Sequence, residues 1–181
     1  MEIGFALPQL LVNPRSTEGR RARRVIQQCA QKVGRASMCP QGVVFGIDDA
    51  FYAQASKSSN ASALRALLDC LVELDVIYLE AYPKTPGLYE AGVFYHFMPT
   101  RAPWDTIPTL FSRHYGDCKS LAAARIAELR QHGQKAKPVF RFMKNNWGTM
   151  FHILILHSNG TWECPSRILG MRTAQEQPNI P

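Results

Sequence analysis

Tyr115-Gly116-Asp117-Cys118-Lys119-Ser120-Leu121-Ala122 is the stretch on which the reading of this chain turns. It predicts a tight turn that delivers one cysteine onto the first turn of a helix. Gly116 supplies a permissive backbone, and aspartate is a favoured N-cap residue at 117. From Leu121 the chain runs through Ala122, Ala123, Ala124, Ile126, Ala127, Glu128, Leu129 and Arg130, strong helix formers apart from Ile126. Gly133 suits a C-cap, and Pro138 lies beyond it. Cys118 is therefore expected where unpaired backbone N–H groups and the helix dipole favour an anion, which lowers a thiol pKa. Taken alone, a cysteine at a helix start is more often a small apolar residue than a nucleophile, so its role depends on the partners that later residues supply.

Downstream, Val139-Phe140-Arg141-Phe142-Met143 alternates like a strand, Met150 to Leu156 is a second and strongly apolar strand, and Thr161 to Cys164 a third. Ser158-Asn159-Gly160 marks the turn between the last two. His152 stands on the central strand, on one face with Leu154 and Leu156. A three-residue loop at 158–160 sets Leu154 opposite Cys164 and brings Cys164 onto the His152 face, diagonal to it. A two-residue loop turns Cys164 to the other face. In the first register Glu163 points away. A lone histidine on such a strand is usually a core residue that donates to a backbone carbonyl. A cysteine on a helix N-terminus packed against the same sheet changes that, because it is the layout of a thiolate–imidazolium pair. Such a pair performs acyl transfer: the thiolate attacks a carbonyl, the imidazolium protonates the leaving group, and a third group fixes the tautomer.

Upstream, Leu64, Leu67, Leu68, Leu71, Val72, Leu74, Tyr78 and Leu79 predict a long helix from about Ala61 to Ala81, stopped by Pro83. Trp104-Asp105-Thr106-Ile107-Pro108-Thr109-Leu110 leads into a short helix ahead of the cysteine turn. Near the N-terminus, residues 3–12 read as a strand or a docking arm and Gly42 to Ile47 as a strand. Between them Ala22, Val25, Ile26, Cys29, Ala30 and Val33 recur at helical spacing. With a polar link at Ser56 to Ser62, the chain divides into an N-terminal extension (1–60), a core (61–172) and a flexible tail (173–181). Helices followed by an antiparallel meander make the class α+β.

The net charge of +7 is concentrated. Residues 15–35 hold seven bases (Arg15, Arg20, Arg21, Arg23, Arg24, Lys32, Arg35) and one acid, Glu18, whereas the remainder carries fourteen bases and thirteen acids. Arginines crowd the start of that helix, where the macrodipole disfavours them. Arg20, Arg21, Arg23 and Arg24 are accordingly the candidate contacts for an anionic partner surface or nucleic acid. A solvated basic face is the plainer reading, since no aromatic residues interleave for base stacking. Five cysteines with no C-x-x-C pair argue against a secreted disulfide framework and for synthesis in a reducing, cytoplasmic compartment. No zinc site and no cofactor are expected from the spacing. Met1-Glu2 begins no basic leader, and no apolar run approaches the ~18 residues of a membrane span, so a soluble chain is expected.

Gly116-Asp117-Cys118 opening a helix, His152 on the following sheet and Glu163-Cys164-Pro165-Ser166 together resemble the transglutaminase-like cysteine superfamily. More narrowly, three segments look like a branch found in bacteriophage genomes: Pro83 to Tyr89 with Gly92-Val93-Phe94-Tyr95, then Trp104 to Pro108, and Pro165 to Met171. The resemblance covers roughly Leu64 to Met171. It implies a papain/transglutaminase-like core, in which a nucleophile helix packs on an antiparallel sheet carrying the His and Asp. Here Cys118 would be nucleophile and His152 acid/base. Two positions depart from the pattern. Cys164 stands where the family has an aspartate before Pro-Ser, and Lys119-Ser120 where the branch has acidic residues. Losing the carboxylate weakens imidazolium stabilisation, and Lys119 partly offsets this by lowering the Cys118 pKa.

Two functions are expected on these grounds. One is a virion-associated structural or assembly component with a degraded triad, binding protein partners. The other is an amidase, peptidase or acyl transferase running on a Cys118–His152 dyad. A redox use of Cys118 and Cys164, including a disulfide, is a third.

Overall fold

The computed structural model describes residues 2–46, 58–98, 102–145 and 148–172. In order, β1 (Glu2–Ala6), α1 (Gln9–Val12) and α2 (Thr17–Val33) are followed by β2 (Arg35–Cys39) and β3 (Gly42–Gly46). Helix α3 (Ser58–Ala81) leads through β4 (Phe94–Tyr95), β5 (Trp104–Asp105), α4 (Ile107–Arg113) and β6 (Tyr115–Gly116) to α5 (Cys118–Gln131). Then come β7 (Ala136–Asn145), β8 (Gly148–His157), β9 (Trp162–Glu163) and α6 (Pro165–Ile168). The class is α+β. The link at 47–57 and the tail at 173–181 lie outside the described residues.

Helix α3 is apolar around most of its circumference because it is covered on two sides, by α2 and by α5. Leu64, Leu67, Leu68, Leu71, Val72, Leu74 and Ile77 are all buried, each contributing about 1.5–3 kcal/mol relative to an exposed side chain. Helix α5 lies between α3 and the β7–β8 sheet. Its buried residues Ala122, Ala123, Ala124 and Ala127 are small because two layers approach it at once. Ile153 and Ile155 of β8 complete that contact and are fully buried.

Residues 2–46 do not stand apart as an extension. Strand β1 lies between β3, antiparallel, and β5, parallel, in a four-stranded sheet of order β2-β3-β1-β5. Phe5 packs between Phe45 and Trp104, with ring centroids at 5.1 and 5.8 Å. A Cβ on Gly42 would fall 2.0 Å from Phe5 O, so only glycine lets β3 close on β1. One hydrophobic cluster runs from Ile3 through α3 to Ile155. The physical reason is that β1 and the α2 face are apolar strips too small to bury themselves, and α3 and Trp104 supply what covers them. Strand β2 was not expected from the sequence: only Ala36 and Met38 are half-buried on it, between exposed Arg35, Ser37 and Cys39.

The meander β7-β8-β9 is antiparallel. Its second turn is a three-residue loop, 158–160, closed by His157 N–H to Thr161 O at 3.0 Å and held by Gly160 at φ +86°. Pro138 is tolerated inside β7 because that strand is the edge of its sheet.

Candidate functional site

Cys118 is the first residue of α5. Asp117 caps the helix, its Oδ1 accepting the Lys119 N–H at 3.1 Å. Gly116 favours close packing rather than an unusual φ: a Cβ there would lie 2.4 Å from Leu110 Cδ1, which would have to move. The left-handed residue of the turn is His114, at φ 61°, which ends α4. Parallel pairing of β4 with β6, with His96 N–H donating to Gly116 O at 2.9 Å, then fixes the turn from outside.

The three sequence-predicted residues converge on two consecutive positions of β8. Cys118 Sγ accepts the Ile153 N–H. His152 places its ring Nε2 3.2 Å from Cys164 Sγ. Pairing of Ile155 with Glu163 puts Leu154 opposite Cys164, the register that the three-residue loop demands. Among the described residues, no hydrogen bond joins Cys118 Sγ to the His152 ring; the ring's partner is Cys164.

The charges around these groups do not make a thiolate–imidazolium pair. Burial pushes the Cys118 thiol up to about 12, and the neighbouring Asp117 carboxylate adds to this; Lys119 and the Ile153 N–H pull the other way without prevailing. Lys119 is weak here because its ammonium is bonded to Asp117 Oδ2 in a buried ion pair. Burial also lowers the His152 pKa, and Arg141 lowers it further. Arg141 is the residue directly across the ladder from His152, hence on the same face of the sheet. Near neutral pH the site therefore holds an uncharged thiol and an uncharged imidazole. This corrects the expectation of a helix-activated thiol assisted by Lys119: desolvation outweighs the helix terminus, and a carboxylate neutralises the cation. Tyr95 lies beside both thiols, its phenol pushed up to about 12 by burial and by the charges of Cys118, Asp117 and Cys164.

Glu163 faces away from His152, toward α5. Its carboxylate receives Arg125 Nε at 2.7 Å and His157 Nε2 at 2.7 Å, and also bonds the Tyr89 hydroxyl. Arg125 continues to Glu128 at 2.8 Å, and Glu128 accepts the Leu88 N–H at 3.1 Å. Burial pushes the Glu163 carboxyl up, but donation from Tyr89, Arg125 and His157 outweighs it and holds the group below its ordinary range. This network ties the Pro83–Tyr89 turn to the helix and to the hairpin. The sequence pattern pointed neither to it nor to Tyr95 and Arg141. Strand pairing alone could have placed Arg141, once the β7–β8 register was known.

On α2, Arg20, Arg23 and Arg24 are exposed, opposite the buried Gly19, Ala22, Ile26 and Cys29. Arg21 instead pairs with Glu80 of α3. Ser16 caps the helix, its Oγ accepting the Gly19 N–H at 2.9 Å, which offsets part of the dipole penalty on the nearby arginines.

Among the described residues, open clefts of about 560 Å³ between α2 and β2 and about 390 Å³ at the end of α3 are lined by neither Cys118, His152 nor Cys164. Among the described residues no three His, Cys, Asp or Glu side chains gather as a metal site, and no helix is long and apolar enough to cross a membrane. Set against known proteins, the chain matches no family model, no curated protein and no solved structure.

Proposed function

We propose that this chain is a transglutaminase-like protein of the bacteriophage-encoded branch, serving as a structural or assembly component of the virion, with a triad degraded at position 164. The observation that carries this reading is the 3.2 Å contact between His152 Nε2 and Cys164 Sγ. Where acyl transfer needs a carboxylate to stabilise imidazolium, this ring meets a thiol, a poor hydrogen-bond acceptor. The charge opposite it, Arg141, has the sign that opposes imidazolium. The exposed Arg20, Arg23 and Arg24 are the contacts proposed for an anionic partner.

One feature favours the alternative, a cysteine amidase, peptidase or acyl transferase running on a Cys118–His152 dyad. The Ile153 N–H holds the Cys118 sulfur beside the residue next to His152.

Alkylation by iodoacetamide at pH 7, mapped peptide by peptide, separates the two. With a thiol pKa of about 12, the thiolate fraction of Cys118 is roughly 10³-fold below that of an unperturbed thiol, and its modification is slowed accordingly. Cys164→Asp, which returns a carboxylate to the ring, should raise the His152 pKa by NMR and speed Cys118 alkylation. Wild-type Cys118 outrunning the exposed Cys39 would end the structural reading.

A further inference from the structure

The thiol in contact with the His152 ring is not the one on the helix. Cys164 Sγ lies 3.2 Å from His152 Nε2, and the hairpin register fixes the two side chains on one face of the sheet. Both residues are partly exposed. Cys118 is partly exposed as well, but its sulfur takes the Ile153 N–H rather than the ring. A neutral ring with its proton on Nδ1 leaves Nε2 free to accept the Cys164 S–H, which is the geometry of a general base and its nucleophile. Arg141 from β7 bears on the ring, and Tyr95 from β4 and Cys118 from the start of α5 lie near Cys164; Asp117 and Lys119 in turn act on Cys118. Arg141, across the ladder, favours an anion on this face.

We propose that Cys164 is the reactive thiol of this protein and that it is a modification site for small hydroperoxides, with His152 as its base. A half-exposed thiol held against a base is the kind of side chain that hydroperoxides oxidise. In the step, His152 Nε2 takes the Cys164 proton and the sulfur attacks one peroxide oxygen. The S–O bond forms to the terminal oxygen as the O–O bond breaks, and the departing alkoxide, or hydroxide from hydrogen peroxide, takes the ring's proton and leaves as the alcohol or water. The sulfur is oxidised by two electrons to a sulfenic acid, and the peroxide is reduced. This role uses the same His152–Cys164 contact as the reading above, but it needs neither the family resemblance nor an assembly role.

The test is hydrogen peroxide treatment of the full-length protein at pH 7, with dimedone trapping and peptide mapping of all five cysteines. Cys39 is exposed and serves as the measure of accessibility alone. Cys164 is expected to label at least about tenfold faster than Cys39, a conservative share of what a positioned base supplies. His152→Ala should remove that advantage, and added imidazole should restore it. Labelling of Cys164 no faster than Cys39, or undiminished in His152→Ala, overturns the proposal. Rapid labelling of Cys118 instead would overturn the structural reading, so the two failures are distinct. The wild-type order of labelling decides the matter even if the His152 variant does not fold.

Discussion

Asp117 and Lys119 form an ion pair directly beneath Cys118, and removing its members one at a time tests why the helix cysteine is quiet. The two side chains are 8% and 4% exposed. Lys119→Met leaves a buried carboxylate without its counterion, which costs about 3–5 kcal/mol. Asp117→Asn keeps the N-cap, since asparagine caps as well as aspartate. It strands the ammonium, but the Trp104 ring centroid 6.0 Å from Nζ offers partial compensation, of up to about 2 kcal/mol when desolvated. Asp117→Asn should therefore destabilise less than Lys119→Met. The double variant removes both charges and should fall within about 1 kcal/mol of wild type, so the single effects are far from additive. Urea denaturation at pH 7 measures the cycle. Alkylation supplies the functional half. Without the carboxylate, and with the lysine unopposed, Cys118 in Asp117→Asn should react faster than wild type; in Lys119→Met it should react more slowly. Additive single effects, or Cys118 rates that do not follow that order, would refute the account of the site.

Two further outcomes are expected. Asp75 accepts the Ile107 N–H at 2.8 Å on Oδ1, while its buried Oδ2 has no partner among the described residues, and burial holds the carboxyl far above its ordinary pKa, the Ile107 bond only partly opposing it. The folded state thus keeps a proton that the unfolded chain releases above a pKa of about 3.9, and stability falls with rising pH by roughly 1.4 kcal/mol per unit until the folded pKa is reached. Asp75→Asn should gain on wild type along that slope between pH 4.5 and 7 in urea melts, and a difference that does not change with pH contradicts it. On α2, changing Arg20, Arg23 and Arg24 to Gln should lower the salt concentration that elutes the protein from heparin. Unchanged elution would remove the anionic-partner proposal; Arg21 is left in place because Glu80 already pairs it.

Much of the fold was legible where a single local signal sufficed. Helix α5 follows from its alanine-rich run after an aspartate cap, α3 from its leucine spacing and Pro83, and the β8–β9 turn from Ser158-Asn159-Gly160. The placement of Cys164 beside His152 was one of two registers the sequence left open, because a strand's period of two turns loop length into a choice of face, and the β8–β9 pairing selected it. Strand β2 escaped because it buries only Ala36 and Met38 and so lacks an apolar face of its own. The pairing of β1 with β5 escaped because no local pattern announces a contact between residues a hundred positions apart.

The chain's order of residues singled out Cys118, His152 and Cys164 as candidates for chemistry, since type and spacing are local properties that need no neighbours. What those side chains are chemically was decided only by folding. A helix N-terminus and an adjacent lysine argue for a thiolate until tertiary packing buries the sulfur and gives the lysine to Asp117. A strand histidine argues for imidazolium until the ladder sets Arg141 across from it. Desolvation and the sign of the nearest charge are set by what surrounds a group in space, and that information is spread over α3, α5 and β7 rather than written in the motif.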